Sequence, residues 1–197
     1  MANPAVATVA LSTEEQSTAT ERDGHLTSER TDELLSAKQI NDIVRTWAIV
    51  EGSRDLEDVG MKMFERLFAI APQAVELFPK FANVPIDKLK YDDSYRGHAM
   101  SVMQAVQLAV SSVDDLDGLF STLRDLGTVH TGLGIQDIHF LLVGQSLLWA
   151  LGAAIGVKDF TPEVQEAWTK FYGIVTEKMK EGLHEANSVR YGDSHGL

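Results

Sequence analysis

From Ser36 onward the chain repeats one pattern, with large apolar residues spaced three and four apart and polar residues between them. This is the period of a helix that buries one face. Ser36 and Gln39 form a capping box ahead of Ile40, Ile43, Val44 and Trp47, which predicts a helix through Trp47. Asp55 opens a second helix, with Val59, Met63, Phe64, Leu67 and Phe68 on one face, stopping before Pro72. Pro72 suits the first turn of a short third helix ending near Phe78, and the stretch from Pro79 to Lys90 reads as irregular. Asp92, Asp93 and Ser94 cap a long helix over 94–111 whose inward row is His98, Val102, Met103, Val106 and Ala109. Asp114 and Asp115 precede a helix that carries Leu116, Leu119, Phe120, Leu123, Leu126, Val129 and His130, and Gly132 and Gly134 end it. A very apolar helix over 138–155 follows. Thr161-Pro162, an N-cap with proline at the first helical position, opens the last helix, which runs through Trp168, Phe171, Tyr172, Val175 and Met179. No stretch sustains strand alternation, so the fold class is all-α.

Residues 1–35 break the pattern. They are rich in Thr, Ser and Glu, and the first aromatic residue is Trp47. Such a segment buries too little surface to offset its ordering entropy and reads as a disordered, acidic N-terminal tail. Residues 186–197 are small and polar and read as a flexible C-terminal tail. The domain proper is 36–185, an ordinary domain size. No apolar run is long enough to span a bilayer, and no basic residue precedes the short run Ala5–Leu11, so neither a membrane span nor a secretory signal is expected and cytoplasm is the default.

Charge and cysteine content narrow the chemistry. Lysine and arginine number 17 against 29 acidic residues, a net charge of −12, which repels phosphate backbones and makes nucleic acid an unsuitable partner. The absence of cysteine excludes disulfides, iron–sulfur clusters, thiol catalysis and covalent c-type haem attachment. Gly132-Leu133-Gly134 lacks the third glycine of a dinucleotide fingerprint, and there is no H-E-x-x-H zinc motif, phosphate loop or G-x-S-x-G elbow. His25 and His195 lie in the tails. His184 reads as a surface group at the frayed end of the last helix, and His139 as a structural or surface residue. Met61, Met63, Met100 and Met103 read as core.

His98 and His130 differ from the other histidines because each sits on an apolar helix face, one turn from Val102 and Leu126 respectively. Spacing alone leaves two readings open. They are two hydrogen-bonded core histidines, or two imidazoles presented across a dry slot, where imidazole is the common ligand of haem iron.

The region 38–183 resembles the globin family, and within it most of all the neuroglobins. The resemblance is carried by Met63-Phe-Glu-Arg-Leu-Phe-Ala-Ile-Ala-Pro72 with Leu77-Phe78, by Arg96-Gly-His98-Ala-Met-Ser-Val102-Met, and by Leu126-Gly-Thr-Val-His130. It continues through Val143-Gly-Gln-Ser-Leu-Leu148 and through Phe160-Thr-Pro162 with Ala167-Trp168 and Phe171-Tyr172-Gly173. It implies a three-over-three helical sandwich around one non-covalent haem b. His130 matches the proximal iron ligand, His98 the distal histidine, and Val102 the apolar residue one turn on. Phe78 matches the aromatic at the haem edge and Phe64 the large residue of the distal side. Leu126, Ile135, Phe140, Val143 and Tyr172 fall where the family lines the pocket. Ser101 stands where neuroglobins carry a basic residue for a haem propionate, leaving Lys80 or Arg96 to take that part.

The implied function is reversible binding of dioxygen, carbon monoxide and nitric oxide, as in oxygen storage or transport, with iron held by both histidines when no gas is bound. The other classes are electron transfer, or nitric oxide dioxygenation or nitrite reduction fed by a separate reductase, and a haem-free helical module. The fold alone does not choose among uses.

Overall fold

The computed structural model describes residues 34–53, 55–113 and 115–192. Most of the two expected tails lies outside the described residues. Six α-helices follow in order: α1 (Ala37–Ser53), α2 (Leu56–Ile70), α3 (Asp93–Ser111), α4 (Leu116–Thr128), α5 (Asp137–Ile155) and α6 (Pro162–Gly192). Two 3-10 helices, Pro72–Leu77 and Ile86–Tyr91, bridge α2 and α3. There is no strand among the described residues, and the all-α fold read from the sequence stands.

The caps act as the sequence indicates. Ser36 and Gln39 exchange hydrogen bonds at the start of α1. Asp55 accepts from the Glu57 amide and Asp92 from the Tyr95 amide. Thr161 accepts from the Val164 amide ahead of α6. Each satisfies a donor that the first turn leaves without an intrahelical partner.

Four expectations about where helices and tails begin and end need correction. α1 runs six residues past Trp47, to Ser53, because Val50 extends the buried face. The stretch 79–90 is not wholly irregular, since Ile86–Tyr91 forms a 3-10 turn that buries Leu89. Leu35, assigned to the N-terminal tail, is buried in the core with Leu34 packed beside it. The last helix does not give way to a tail at Ala186 but continues to Gly192, with the Arg190 guanidinium lying against Gly132 in the turn after α4. No glycine or proline interrupts 183–191, so small polar residues there simply continue the helix.

The helices lock at a few close points. α2 crosses α3 at Gly60, where a Cβ would fall on the Ala99 carbonyl. α4 and α6 meet reciprocally, Gly127 against the Met179 carbonyl and Gly182 against the Arg124 carbonyl. Glycine at these positions lets backbones approach to a distance that any side chain forbids. α1 is tied to α6 by a buried polar link. Thr46 Oγ1 donates to the Asp42 carbonyl at 2.6 Å and accepts from Trp168 Nε1 at 2.9 Å, with the Trp47 and Trp168 rings 6.2 Å apart.

α5 lies at the centre, packed on α1, α2 and α6. Its length and apolar composition also meet those of a bilayer span, contrary to the expectation that no run is long enough. Its contacts here make it a core helix: Phe140, Leu147, Ala150, Leu151 and Ile155 are buried, and Gly144 gives room for the Tyr172 ring.

Replacing Gly60 by alanine forces α2 and α3 apart, and a loss of about 1–3 kcal/mol is expected. The urea midpoint followed by far-UV circular dichroism reads it, and an unchanged midpoint would show that the two helices separate here without cost.

Candidate functional site

Between α2, α3, α4, α5 and α6 lies a cavity of about 560 Å³. Its walls are overwhelmingly apolar. All eleven residues singled out from the sequence line it: Phe64, Phe78, Lys80, His98, Val102, Leu126, His130, Ile135, Phe140, Val143 and Tyr172. The structure therefore brings together positions spread over more than a hundred residues. It adds Met63, Leu67, Leu123, Trp168 and Phe171, which the sequence pattern marks as core and the structure also turns toward the space.

His130 is not in the last turn of a helix as expected. α4 ends at Thr128, and Val129 and His130 form the turn beyond it, with the His130 amide bonded to the Gly127 carbonyl. The turn closes through Gly132 and Gly134, both with positive φ. Breaking the helix there frees the imidazole to fold back, so that Nδ1 lies 2.7 Å from the Leu126 carbonyl. A carbonyl only accepts, so Nδ1 donates to it, and of the two neutral tautomers this contact selects the one that leaves Nε2 as the acceptor.

His98 sits in the second turn of α3, half-buried. Phe64 and Phe78 each place a ring centroid 5.3 Å from its imidazole, and Phe81 one at 6.2 Å. The three phenylalanines also pack on one another, Phe78 stacking on Phe81 at 5.1 Å. Phe81 is anchored in turn by Tyr95, whose hydroxyl donates to the Met61 carbonyl. This collar fixes the orientation of the imidazole. Burial, with His130 and Lys80 nearby, holds the His98 pKa below its ordinary value, so the ring is neutral at pH 7 and offers a lone pair rather than a charge. Phe81 was missed in the sequence because it falls in the irregular stretch, where no periodicity marks it.

Of the two cations considered for the rim, one reaches the cavity. Lys80 lines the cavity, whereas Arg96 is bound at 2.7 Å to Glu57 and does not line it. The Ser101 hydroxyl is engaged by the Gly97 carbonyl. His139 has the structural role expected of it, its Nδ1 accepting from the Gln136 amide to cap α5, while its ring also edges the cavity. His184 is not at a frayed helix end: α6 continues beyond it, and its Nε2 lies 3.3 Å from Asp137. His25 and His195 lie outside the described residues. Tyr172 is held by its hydroxyl, which donates to the Phe140 carbonyl at 2.7 Å. Its phenol pKa is pushed up by burial, so it stays protonated.

The comparisons agree with this geometry. The family model for globins matches residues 61–179. Neuroglobin-2 of Oncorhynchus mykiss is 34% identical over 62% of this chain and 77% of its own length. Haemoglobin subunit pi of Gallus gallus is 32% identical over 71% of this chain and 91% of its own length. Among solved structures, a hexacoordinated haem protein from an anhydrobiotic tardigrade superposes with a TM-score of 0.70 at 28% identity, covering 76% of this chain and 96% of its own. The chain belongs to the globin family, and its neuroglobin relatives stand at about a third identity. The cofactor of that family is haem, and the residues present fit one. The apolar walls suit a flat macrocycle, the His130 ring held through Nδ1 and a neutral His98 suit iron, and Lys80 offers a cation at the rim for the haem carboxylates.

Tyr172→Phe removes the hydroxyl tie but leaves the Phe140 carbonyl its helical partner, so a modest loss of about 0.5–1.5 kcal/mol is expected. Chemical denaturation measures it. An unaltered midpoint would mean that the bond does no more for the fold than water does.

Proposed function

We propose that the cavity holds one haem b non-covalently, with His130 as the permanent iron ligand and His98 as the ligand on the opposite side, and that the protein binds dioxygen, carbon monoxide and nitric oxide reversibly. The observation that carries this reading is the pair of imidazoles lining one apolar cavity, from α3 and from the turn after α4. The likeness to a hexacoordinated haem protein supports ligation from both sides. When bound, haem supplies an iron that takes up a small diatomic ligand.

The chain's residues do the rest. The Leu126 carbonyl, accepting from His130 Nδ1, fixes the tautomer and raises the basicity of Nε2. Phe64, Phe78 and Phe81 hold the His98 ring, so its retreat before an incoming gas needs a concerted shift of packed side chains. Met63, Val102, Val106, Val143 and Leu147 keep water from the walls. Lys80 meets the carboxylates at the rim. A second reading, electron exchange or nitric oxide and nitrite chemistry with a separate reductase, is favoured by the same two imidazoles. Iron held by both His98 and His130 would need no change of protein ligand on changing oxidation state.

His130→Ala is expected to lose stable haem retention, and tight, spectrally unchanged haem in that variant would refute the proximal role. His98→Leu is expected to keep haem but replace the split visible bands of the ferrous, ligand-free protein by one broad band. An identical spectrum would remove His98 from the iron.

The rim assignment separates two cations. Lys80→Ala should speed haem loss up to about fivefold, the scale of an exposed ion pair, and Arg96→Ala should leave it unchanged. Transfer of haem to excess apomyoglobin measures both, and equal rates for the two variants would show that Lys80 holds no carboxylate.

A further inference from the structure

Haem carries two carboxylates on one edge. A carboxylate accepts hydrogen bonds and donates none, so each needs a donor or a cation at the cavity rim. Most polar groups on the cavity wall have no hydrogen left to offer. Trp168 Nε1 donates to Thr46 Oγ1, the Tyr172 hydroxyl to the Phe140 carbonyl, the Ser101 hydroxyl to the Gly97 carbonyl and His130 Nδ1 to the Leu126 carbonyl. His98 stands inside its collar of phenylalanines. Two donors remain among the described residues that line the space, Lys80 and His139. Lys80 makes no hydrogen bond or ion pair with a described residue. His139 lies in the first turn of α5, half-buried. Its Nδ1 accepts from the Gln136 amide at 2.9 Å, and the Gln136 side chain accepts from the His139 amide in return. A nitrogen that accepts carries no proton, so this contact selects the tautomer with its hydrogen on Nε2. That hydrogen has no partner among the described residues.

We propose that His139 is a haem-binding residue, its Nε2 donating to one haem carboxylate while Lys80 holds the other. The inference rests on the reading that the cavity holds haem. The two donors come from chain segments that touch. A Cβ on Gly134, in the turn after α4, would lie 4.0 Å from Leu77 Cδ2 in the bridge between α2 and α3. Lys80 follows Leu77 by three residues and His139 follows Gly134 by five, which places both donors beside one contact, as two carboxylates on one haem edge require. The acid nearest His139 in sequence is Asp137, which would repel a carboxylate if left alone. It is answered by Lys180 Nζ at 3.5 Å and faces His184 Nε2 at 3.3 Å. Lys180 also lies over the Phe140 ring at 6.0 Å, so the surroundings of His139 carry a cation as well as an acid. The two donors act differently. Lys80 is an exposed, flexible charge that attracts from many positions. His139 is held by its cap and offers one hydrogen in one direction, so it fixes which way round the carboxylate edge of the haem faces.

The test uses His139→Asn in the full-length chain. The asparagine oxygen takes the place of Nδ1 and keeps the cap, while the donor at the ε position is gone. Transfer of haem to excess apomyoglobin is expected to run about three- to tenfold faster than in the wild type, the scale of one hydrogen bond to a charged group. The same transfer is then measured with haem dimethyl ester, whose blocked carboxylates carry no charge. There the variant and the wild type are expected to agree within about twofold, because the lost donor has no carboxylate to hold. A weakened fold would speed the loss of both compounds alike, and circular dichroism checks the helix content. Combined with Lys80→Ala, the two accelerations are expected to multiply, since each residue serves its own carboxylate. A His139→Asn chain that keeps haem as long as the wild type would overturn the proposal. So would equal acceleration with haem and its ester, or a double variant no faster than the faster single one. A wild type that gains no Soret band on addition of haem would instead bring down the haem reading, and this assignment with it.

Discussion

A cavity of about 560 Å³ inside a domain of this size is the constraint to which the rest of the structure answers. Side chains that line it find protein neighbours on one side only, and contacts on the other side come from whatever the cavity binds. The surrounding helices must therefore be held by contacts that do not pass through the centre. The structure supplies them at the periphery. Gly60 lets α2 lie directly on the Ala99 backbone, Gly127 and Gly182 bring α4 onto α6, and the Thr46–Trp168 bond ties α1 to α6. Tight backbone crossings outside allow an open middle. A ligand that binds only the folded state adds its binding free energy to the stability of this frame.

The two histidines reach the same space by different means. His130 depends on the chain leaving helical geometry at Thr128, which turns its imidazole back on the Leu126 carbonyl. His98 stays inside a regular helix and is set by its neighbours, with three phenylalanines from α2 and the following bridge packed on its ring. The first arrangement fixes a tautomer through a hydrogen bond, and the second fixes an orientation through packing alone. A hydrogen bond within one turn is rigid, whereas an apolar collar yields when its members shift together.

Much of this was legible in the sequence because it rests on local chemistry. Caps at Ser36, Asp55, Asp92 and Thr161 and the three-four spacing of apolar residues placed the six α-helices, and both histidines stood out as polar groups on apolar faces. The parts that were not legible depend on tertiary contact. No period marks Phe81 or the turn at Ile86–Tyr91, because a chain bridging two helices answers to what it covers. The continuation of α6 to Gly192 places Arg190 against Gly132, a contact between residues far apart in sequence. Only the structure separates Lys80 from Arg96, since what disqualifies Arg96 is an ion pair with Glu57, thirty-nine residues earlier.

The distribution of charge follows the same division between inside and outside, with one exception. α1 and α2 carry acids and bases on their outer faces, several of them paired, as with Arg45–Asp159 and Lys62–Asp58. Such faces keep an acidic protein soluble and separate from its copies. α5 is enclosed by α1, α2 and α6 over its inner side, and burial accounts for the apolar residues there. Burial does not account for Leu141 and Trp149, which pack on no core and stand about half exposed. An apolar residue in the core is retained because the fold fails without it, whereas the fold loses little if an exposed one becomes lysine. A run of them at helical spacing, uninterrupted by charge, is thus not a requirement of the fold itself.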